Sequence, residues 1–354
     1  TLRIEPATIR TLDGQMQIIG DLGYASHPNW DLQITGEGLN PARHLPDWPG
    51  SINMRILAAG QVSDAGPSTE IKIQQLGGTL REQAVAVSGD ITYGPSGLKL
   101  QGVNLASGHN KASLNGAVGS QLALQYLIDA PVLGEIHPEL AGGLTGKGQV
   151  TGSPDAPQIH GDLKGLGLGF SGFRIDELDL NLDWAGEQGG EGKLSARRLT
   201  GLGANDLDAI NLDVRGTPEA HILSSTAKGD GIALQMQAAG GIGSSGNWAG
   251  RLDQLRLRHP LSGEWQTGEP AQLTLGSSMA QTPRLCLRQK TAELCVKGGL
   301  GQDGQLDVQG ELSGFNLALI DSHLPEGMRL QGLVNSRFEA SGPLDNPKAT
   351  LALR

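Results

Sequence analysis

The side chains able to do covalent or metal chemistry are few and scattered. Cys286 and Cys295 fall inside one hairpin pattern: laying 283–288 against 293–298 about a turn at Lys290-Thr291 sets the two cysteines opposite each other. The same register sets Leu287 against Leu294 and Leu285 against Val296. Opposed residues of an antiparallel pair lie about 4.5–5.5 Å apart at Cα, which is within disulfide reach. A disulfide on the polar face is the expectation in an oxidising compartment, with two unpaired thiols as the alternative. One feature opposes it, because Arg284 then faces Lys297 as a like-charge pair. Two cysteines without a nearby histidine are too few ligands for a metal site.

Other apparent motifs dissolve on inspection. Gly167-Leu168-Gly169-Phe170-Ser171-Gly172 matches the dinucleotide fingerprint, but that motif needs a helix opening at its end, and Phe173-Arg174-Ile175 starts another strand. With 54 glycines in 354 residues, chance matches are expected. Gly298-Gly299-Leu300-Gly301-Gln302-Asp303 imitates a calcium-binding repeat once only, and its apolar slot holds Gln305, so a turn is the better reading. None of the eight histidines has the i, i+4 spacing of a helical metal pair. His44, His137 and His323 each precede a recurring proline, which suggests a structural role such as capping a turn. Aspartates and glutamates are spread singly. No catalytic, cofactor-binding or metal-binding residue is expected, and the chain is read as a non-enzyme. A formal charge of −10 and the lack of a basic cluster interleaved with aromatics argue against nucleic acid.

What remains is organisation. Pro46-Asp47-Trp48-Pro49-Gly50, Pro138-Glu139-Leu140-Ala141-Gly142 and Pro325-Glu326 with Gly332 each lead to a second glycine ten positions on, at Gly60, Gly152 and Gly342. Pro67, Pro157 and Pro347 follow. Gly50 to Gly142 is 92 positions and Gly142 to Gly332 is 190, so units of about 95 residues are expected, marked at 46–67, 138–157 and 325–347 with a degenerate copy between 157 and 325. The whole chain, 1–354, then reads as one continuous repetitive segment.

Between paired glycines the period is two, the signature of half-buried β-strands. Ile52, Met54 and Ile56 point one way, as do Leu144 and Val150, Leu178, Leu180 and Leu182, Leu285 and Leu287, and Val334 and Phe338. These twelve are the candidate lining of an apolar face. Arg55, Lys147 and Arg337 hold one slot on the polar face, which reads as solvated. Glycine and proline clusters such as 93–97, 187–192 and 302–304 supply the turns. Short helical turns are expected just before the markers, at 40–45, 132–136 and 317–324.

Only 3% of residues are aromatic, too few for the bulky interdigitation of a sandwich. The expected fold is all-β: an elongated, curled sheet resembling a solenoid or β-taco, with an apolar interior. At about a dozen residues per strand, some thirty strands at about 4.8 Å spacing would extend on the order of 140 Å. No run is long and apolar enough for a membrane helix. Both ends fall in mid-alternation, so the chain reads as a piece of something longer.

These features resemble the TamB family, within the AsmA-like group of bridge-type lipid transfer proteins, and the likeness points to its central region. The passages that carry it are Leu39-Asn40-Pro41 through Gly50, Gly152-Ser153-Pro154-Asp155-Ala156-Pro157, Val214-Arg215-Gly216-Thr217-Pro218 and the cysteine hairpin. The resemblance implies a periplasmic β-groove anchored in the inner membrane by a segment outside this chain. It implies a TamA-like outer-membrane β-barrel partner, and a role in lipid delivery and autotransporter assembly. It supplies no catalytic residues. Two readings follow: a conduit whose trough holds phospholipid acyl chains, or a scaffold that binds outer-membrane protein clients by β-augmentation without lipid. A carbohydrate-binding solenoid would need an aromatic platform, for which Trp30, Trp48, Trp184, Trp248 and Trp265 are too dispersed.

Overall fold

A computed structural model describes residues 1–24, 26–201, 206–325 and 327–354. Glu326 of the third marker and the side chain of His323 lie outside this description. The chain divides into two units, Thr1–Gly186 and Glu187–Arg354. Both are all-β, as the alternation predicts.

Unit 1 holds β1 (Leu2–Thr11), β2 (Gly14–Gly23), β3 (Asn29–Leu39), β4 (Gly50–Ser63), β5 (Gly66–Leu80) and β6 (Gln83–Gly94). It continues with β7 (Gly97–Ser107), β8 (Asn110–Val118), β9 (Leu122–Ala130), β10 (Leu140–Ser153), β11 (Ala156–Phe170) and β12 (Phe173–Ala185). Each pairs antiparallel with the strand before and after it, an unbroken meander. Antiparallel neighbours need only tight turns, and the sequence supplies them. At Ser171-Gly172, inside the dinucleotide-like motif, φ is +49° and +85°, so that motif is a hairpin turn between β11 and β12.

Unit 2 holds β13 (Gly190–Thr200), β14 (Leu207–Gly216), β15 (His221–Gly229), β16 (Ile232–Ile242), β17 (Trp248–His259) and β18 (Gly263–Thr267). Then come β19 (Ala271–Leu275), β20 (Ala280–Gln289), β21 (Ala292–Leu300), β22 (Gln305–Asn316), β23 (Leu333–Pro343) and β24 (Lys348–Leu353). Its meander has one interruption. β18 and β19 both pair with β17, as two halves of one strand broken at Gly268-Glu269-Pro270, where proline cannot donate to the ladder. The Thr267 hydroxyl fills part of the gap by accepting the Leu255 N–H at 3.1 Å.

Among the described residues there are 24 strands, fewer than the thirty or so expected, because individual strands reach 15 residues. Bulges let them run that long. In β3, β7 and β22 the chain enters the left-handed region at Gly38, Gly102 and Gly314, with φ of +64°, +59° and +64°. Each freed N–H is taken by an asparagine on the next strand: Asn53 at 2.9 Å, Asn115 at 2.6 Å and Asn335 at 2.8 Å. A bulge so anchored absorbs an extra residue without flipping the faces downstream.

The helical content among the described residues is four 3-10 turns, at Pro41–Arg43, Leu133–Glu135, Gly186–Gln188 and Leu317–His323. Three fall in the segments expected before the markers. Asn40 and Asn316 cap two of them, each side chain accepting from the N–H two residues on.

Cys286 and Cys295 are joined by a disulfide across β20 and β21, with the opposed pairs Leu285–Val296 and Leu287–Leu294. One detail of the expected register is corrected. A register shift between Thr282 and Leu285 leaves Arg284 without Lys297 as its direct one-to-one partner. The Arg284 guanidinium turns to the sulfurs instead, its Nε donating to Cys286 Sγ at 3.1 Å.

Candidate functional site

Register decides which side chains share a face. In unit 1 the opposed pairs run across the sheet as continuous rows. The first joins Leu39, Ile52, Gly78, Val85 and Ser107. It goes on through Asn110, Ala130, Leu144, Gly165 and Leu178. The next row joins Met54, Leu76, Val87, Leu105, Ala112, Ile128, Leu163 and Leu180, with glycines between. Leu182 and Val150 stand in further rows of the same face. In unit 2 the pairs Leu287–Leu294–Leu312 and Val296–Gly310–Phe338 put Leu285, Leu287, Val334 and Phe338 on one face as well. All twelve candidate lining residues are half-exposed.

None of the twelve is fully buried, although Leu285 in unit 2 packs against a closed apolar row. Among the described residues no large side chain is completely buried. Several aromatic rings lie over glycines. Trp30 lies over Gly60, Tyr126 over Gly148 and Gly161, Trp248 over Gly240 and Gly250, and Phe338 over Gly310, each leaving no room for a Cβ beneath it. A ring over a glycine covers backbone that would otherwise be exposed.

At one edge of unit 1 the face deepens into a cup of about 560 Å³, lined mainly by Ile52, Leu76, Leu80, Val85, Val87, Ile128 and Leu144. Trp48, Leu133 and Ile136 overhang it from the two long connections, 40–49 and 131–139. Its one charged lining residue, Lys111, stands opposite Asp129 on the outer face. The overhanging segments are tied down. Asn110, 3% exposed, accepts from the Val132 N–H at 3.0 Å and donates to the Val132 carbonyl at 2.8 Å and to that of Ser107 at 3.0 Å. The Glu135 carboxylate accepts from the His109 N–H at 2.7 Å and pairs with its ring at 2.7 Å. The His109 N–H, and then the ring bond, hold that carboxyl below the usual carboxylate range. Arg81 donates to the Asp47 carbonyl at 2.9 Å and lies over the Trp48 ring. Trp48 and His137 approach to 6.2 Å between ring centroids. In a flat sheet the six strand steps from β4 to β10 would separate their ends by roughly 29 Å. The two connections therefore lean along an edge that is itself drawn together.

Sequence reasoning named alternating residues along the strands but missed most of the cup. Leu76, Leu80, Val85 and Val87 carry the same alternation and were legible. Trp48, Leu133 and Ile136 were not, because they lie outside strands and reach the cup only through contacts between distant connections.

The chemistry of the face is apolar. Among the described residues one cluster has metal-ligand spacing, Cys286, Glu293 and Cys295, and its two sulfurs are bonded to each other. No helix among them is long and apolar enough to cross a membrane.

A family model described as "TamB, N-terminal domain" matches residues 1–354. The chain belongs to the TamB family. The resemblance read from the sequence pointed to the central region of TamB, whereas the matching model is described as its N-terminal domain. The translocation and assembly module subunit TamB of Haemophilus influenzae is 22% identical over 345 residues, covering 96% of this chain and 26% of the relative. The chain thus spans about a quarter of the length of that TamB. No solved structure matches.

Proposed function

We propose that this chain is a stretch of hydrophobic conduit that carries phospholipid acyl chains on its apolar face. It would act as part of a translocation and assembly module, between the inner membrane and a TamA-like outer-membrane barrel, in support of outer-membrane assembly. The observation that carries the reading is an apolar face continuous through the rows of unit 1 and left uncovered by the protein's own side chains. An exposed apolar surface of this extent costs free energy unless something lies on it. Burying one methylene is worth about 0.8 kcal/mol, so a sixteen-carbon chain gains on the order of 10 kcal/mol before ordering costs. Leucine, isoleucine and valine make no directional contacts, so binding is non-specific for the chain, which suits transport and needs no catalytic group. Placement in the periplasm, with an inner-membrane anchor elsewhere in the protein, belongs to the same proposal.

Purified full-length protein should retain phospholipid detectable by mass spectrometry. Leu180→Arg and Val334→Arg, on the apolar face, should each lower the retained amount several-fold, while Gln149→Arg on the outer face should not. Equal retention in all three would overturn the conduit.

A further inference from the structure

The groove of unit 1 has two unlike edges. The only buried apolar side chains among its described residues, Leu39 and Ala130, both lie in the first row, beneath the overhanging connections. At the opposite edge the connections 64–65, 95–96, 119–121 and 154–155 are two or three residues long. The row there joins Trp30, Gly60, Thr69, Tyr93, Leu98 and Val118. Tyr93 is 53% exposed and Val118 36%. Trp184 stands one row further in. The two buried apolar side chains thus lie at the cup edge, while Trp30 and Tyr93 stand in the row at the tight-turn edge. Tyrosine and tryptophan favour boundaries at which one end of the ring is apolar and the other wet.

Dimensions agree with this polarity. From Ile52 in the first row to Gly60 in the last is eight residues, about 26 Å along a strand. The acyl chains of one bilayer leaflet reach about 15 Å. A chain laid along the strands with its end in the cup fits across the face and brings its head group toward the tight-turn edge.

We infer that unit 1 seats phospholipid in one direction: acyl chains lie along the strands with their methyl ends under Trp48, Leu133 and Ile136, and the head group sits at the tight-turn edge beside Trp30 and Tyr93. A reversed lipid would place its phosphate among Leu76, Val85 and Ile128, where Lys111, set opposite Asp129, is the one charged group of the lining. The inference rests on the conduit reading and goes beyond it by assigning opposite roles to the two edges.

The test uses full-length protein loaded from phosphatidylcholine vesicles that carry a diazirine either at the chain terminus or on the head group, with labelled residues mapped by mass spectrometry. The chain-terminal probe should label Leu76, Val87 and Ile128 at least fivefold over Tyr93, Leu98 and Val118, and the head-group probe should reverse that ratio. Equal or inverted patterns would overturn the directional seating while leaving the conduit intact. Absence of labelling by either probe would remove both.

Discussion

In unit 1 the apolar face ends in an open cup of about 560 Å³, whereas in unit 2 part of the same kind of face closes on itself. Ala238, Leu252 and Ala271, at 2%, 2% and 3% exposed, form one row there, and Leu223, Met236, Trp248, Leu255, Leu273 and Leu285 pack against it. Nearby, Trp265 stacks on Phe315 with ring centroids 6.2 Å apart. Both units have period-two strands, so alternation alone does not set how full the face becomes. The difference lies in continuity. Unit 1 has whole strands and two overhanging connections, which leave space beneath them. In unit 2 the break at Gly268-Glu269-Pro270 splits one strand, and Leu285, between the residues of β20 that pair with the two halves, packs back onto the row. An interrupted strand lets the sheet fill its own hollow.

The largest expected effect on this contrast is a pair of truncations. Leu252→Ala should cost about 3 kcal/mol, because a tightly enclosed side chain leaves a cavity, while Leu105→Ala, 46% exposed beside the cup, should cost under about 1 kcal/mol. Urea unfolding read by hydrogen exchange in each unit measures both, and equal costs would mean that unit 1 is as full as unit 2. A smaller effect is expected from Asn110→Ala. Losing the bonds that hold Val132 should cost about 1–3 kcal/mol locally and speed amide exchange across 131–139 without altering the cysteine hairpin. Unchanged exchange there would show that the overhang is held by other contacts.

The smallest effect is a pH dependence. Because the folded-state pKa of Glu135 is lowered by His109, its bond stabilises the overhang above the ordinary carboxylate pKa. That contribution is lost as pH falls through the lowered value, below the ordinary glutamate range. Amide exchange at Glu135 and Ile136, corrected for intrinsic rates, should rise in that range in unit 1. The hairpin of unit 2 is closed by the covalent Cys286–Cys295 bond, with Glu293 accepting from Arg288 beside it, and its exchange should rise less. Parallel behaviour of the two would indicate general acid unfolding instead.

Much of this was legible in the sequence, for physical reasons. Strand existence and the hairpin register around Cys286 follow from period two and turn chemistry, which are local. The 3-10 turns before the markers were also legible, since Asn40-Pro41 and Asn316 are capping signals. What escaped was set by long-range geometry. The bulge that removes Arg284 from Lys297, the break between β18 and β19, and the meeting of Trp48 with His137 leave no trace in a two-residue period. The rings over glycines were likewise hidden: Tyr126 and Gly148 are 22 positions apart, and only the register reveals that one covers the other.

The meander of unit 1 carries a consequence for how such a chain is made and remade. Because every strand there bonds only to its predecessor and successor, each hairpin can zip onto the last as the polypeptide emerges, with little loop-closure entropy to overcome. By the same token, removing or duplicating one hairpin would change the ruler by two strand widths, about 9.6 Å, and cross no other connection.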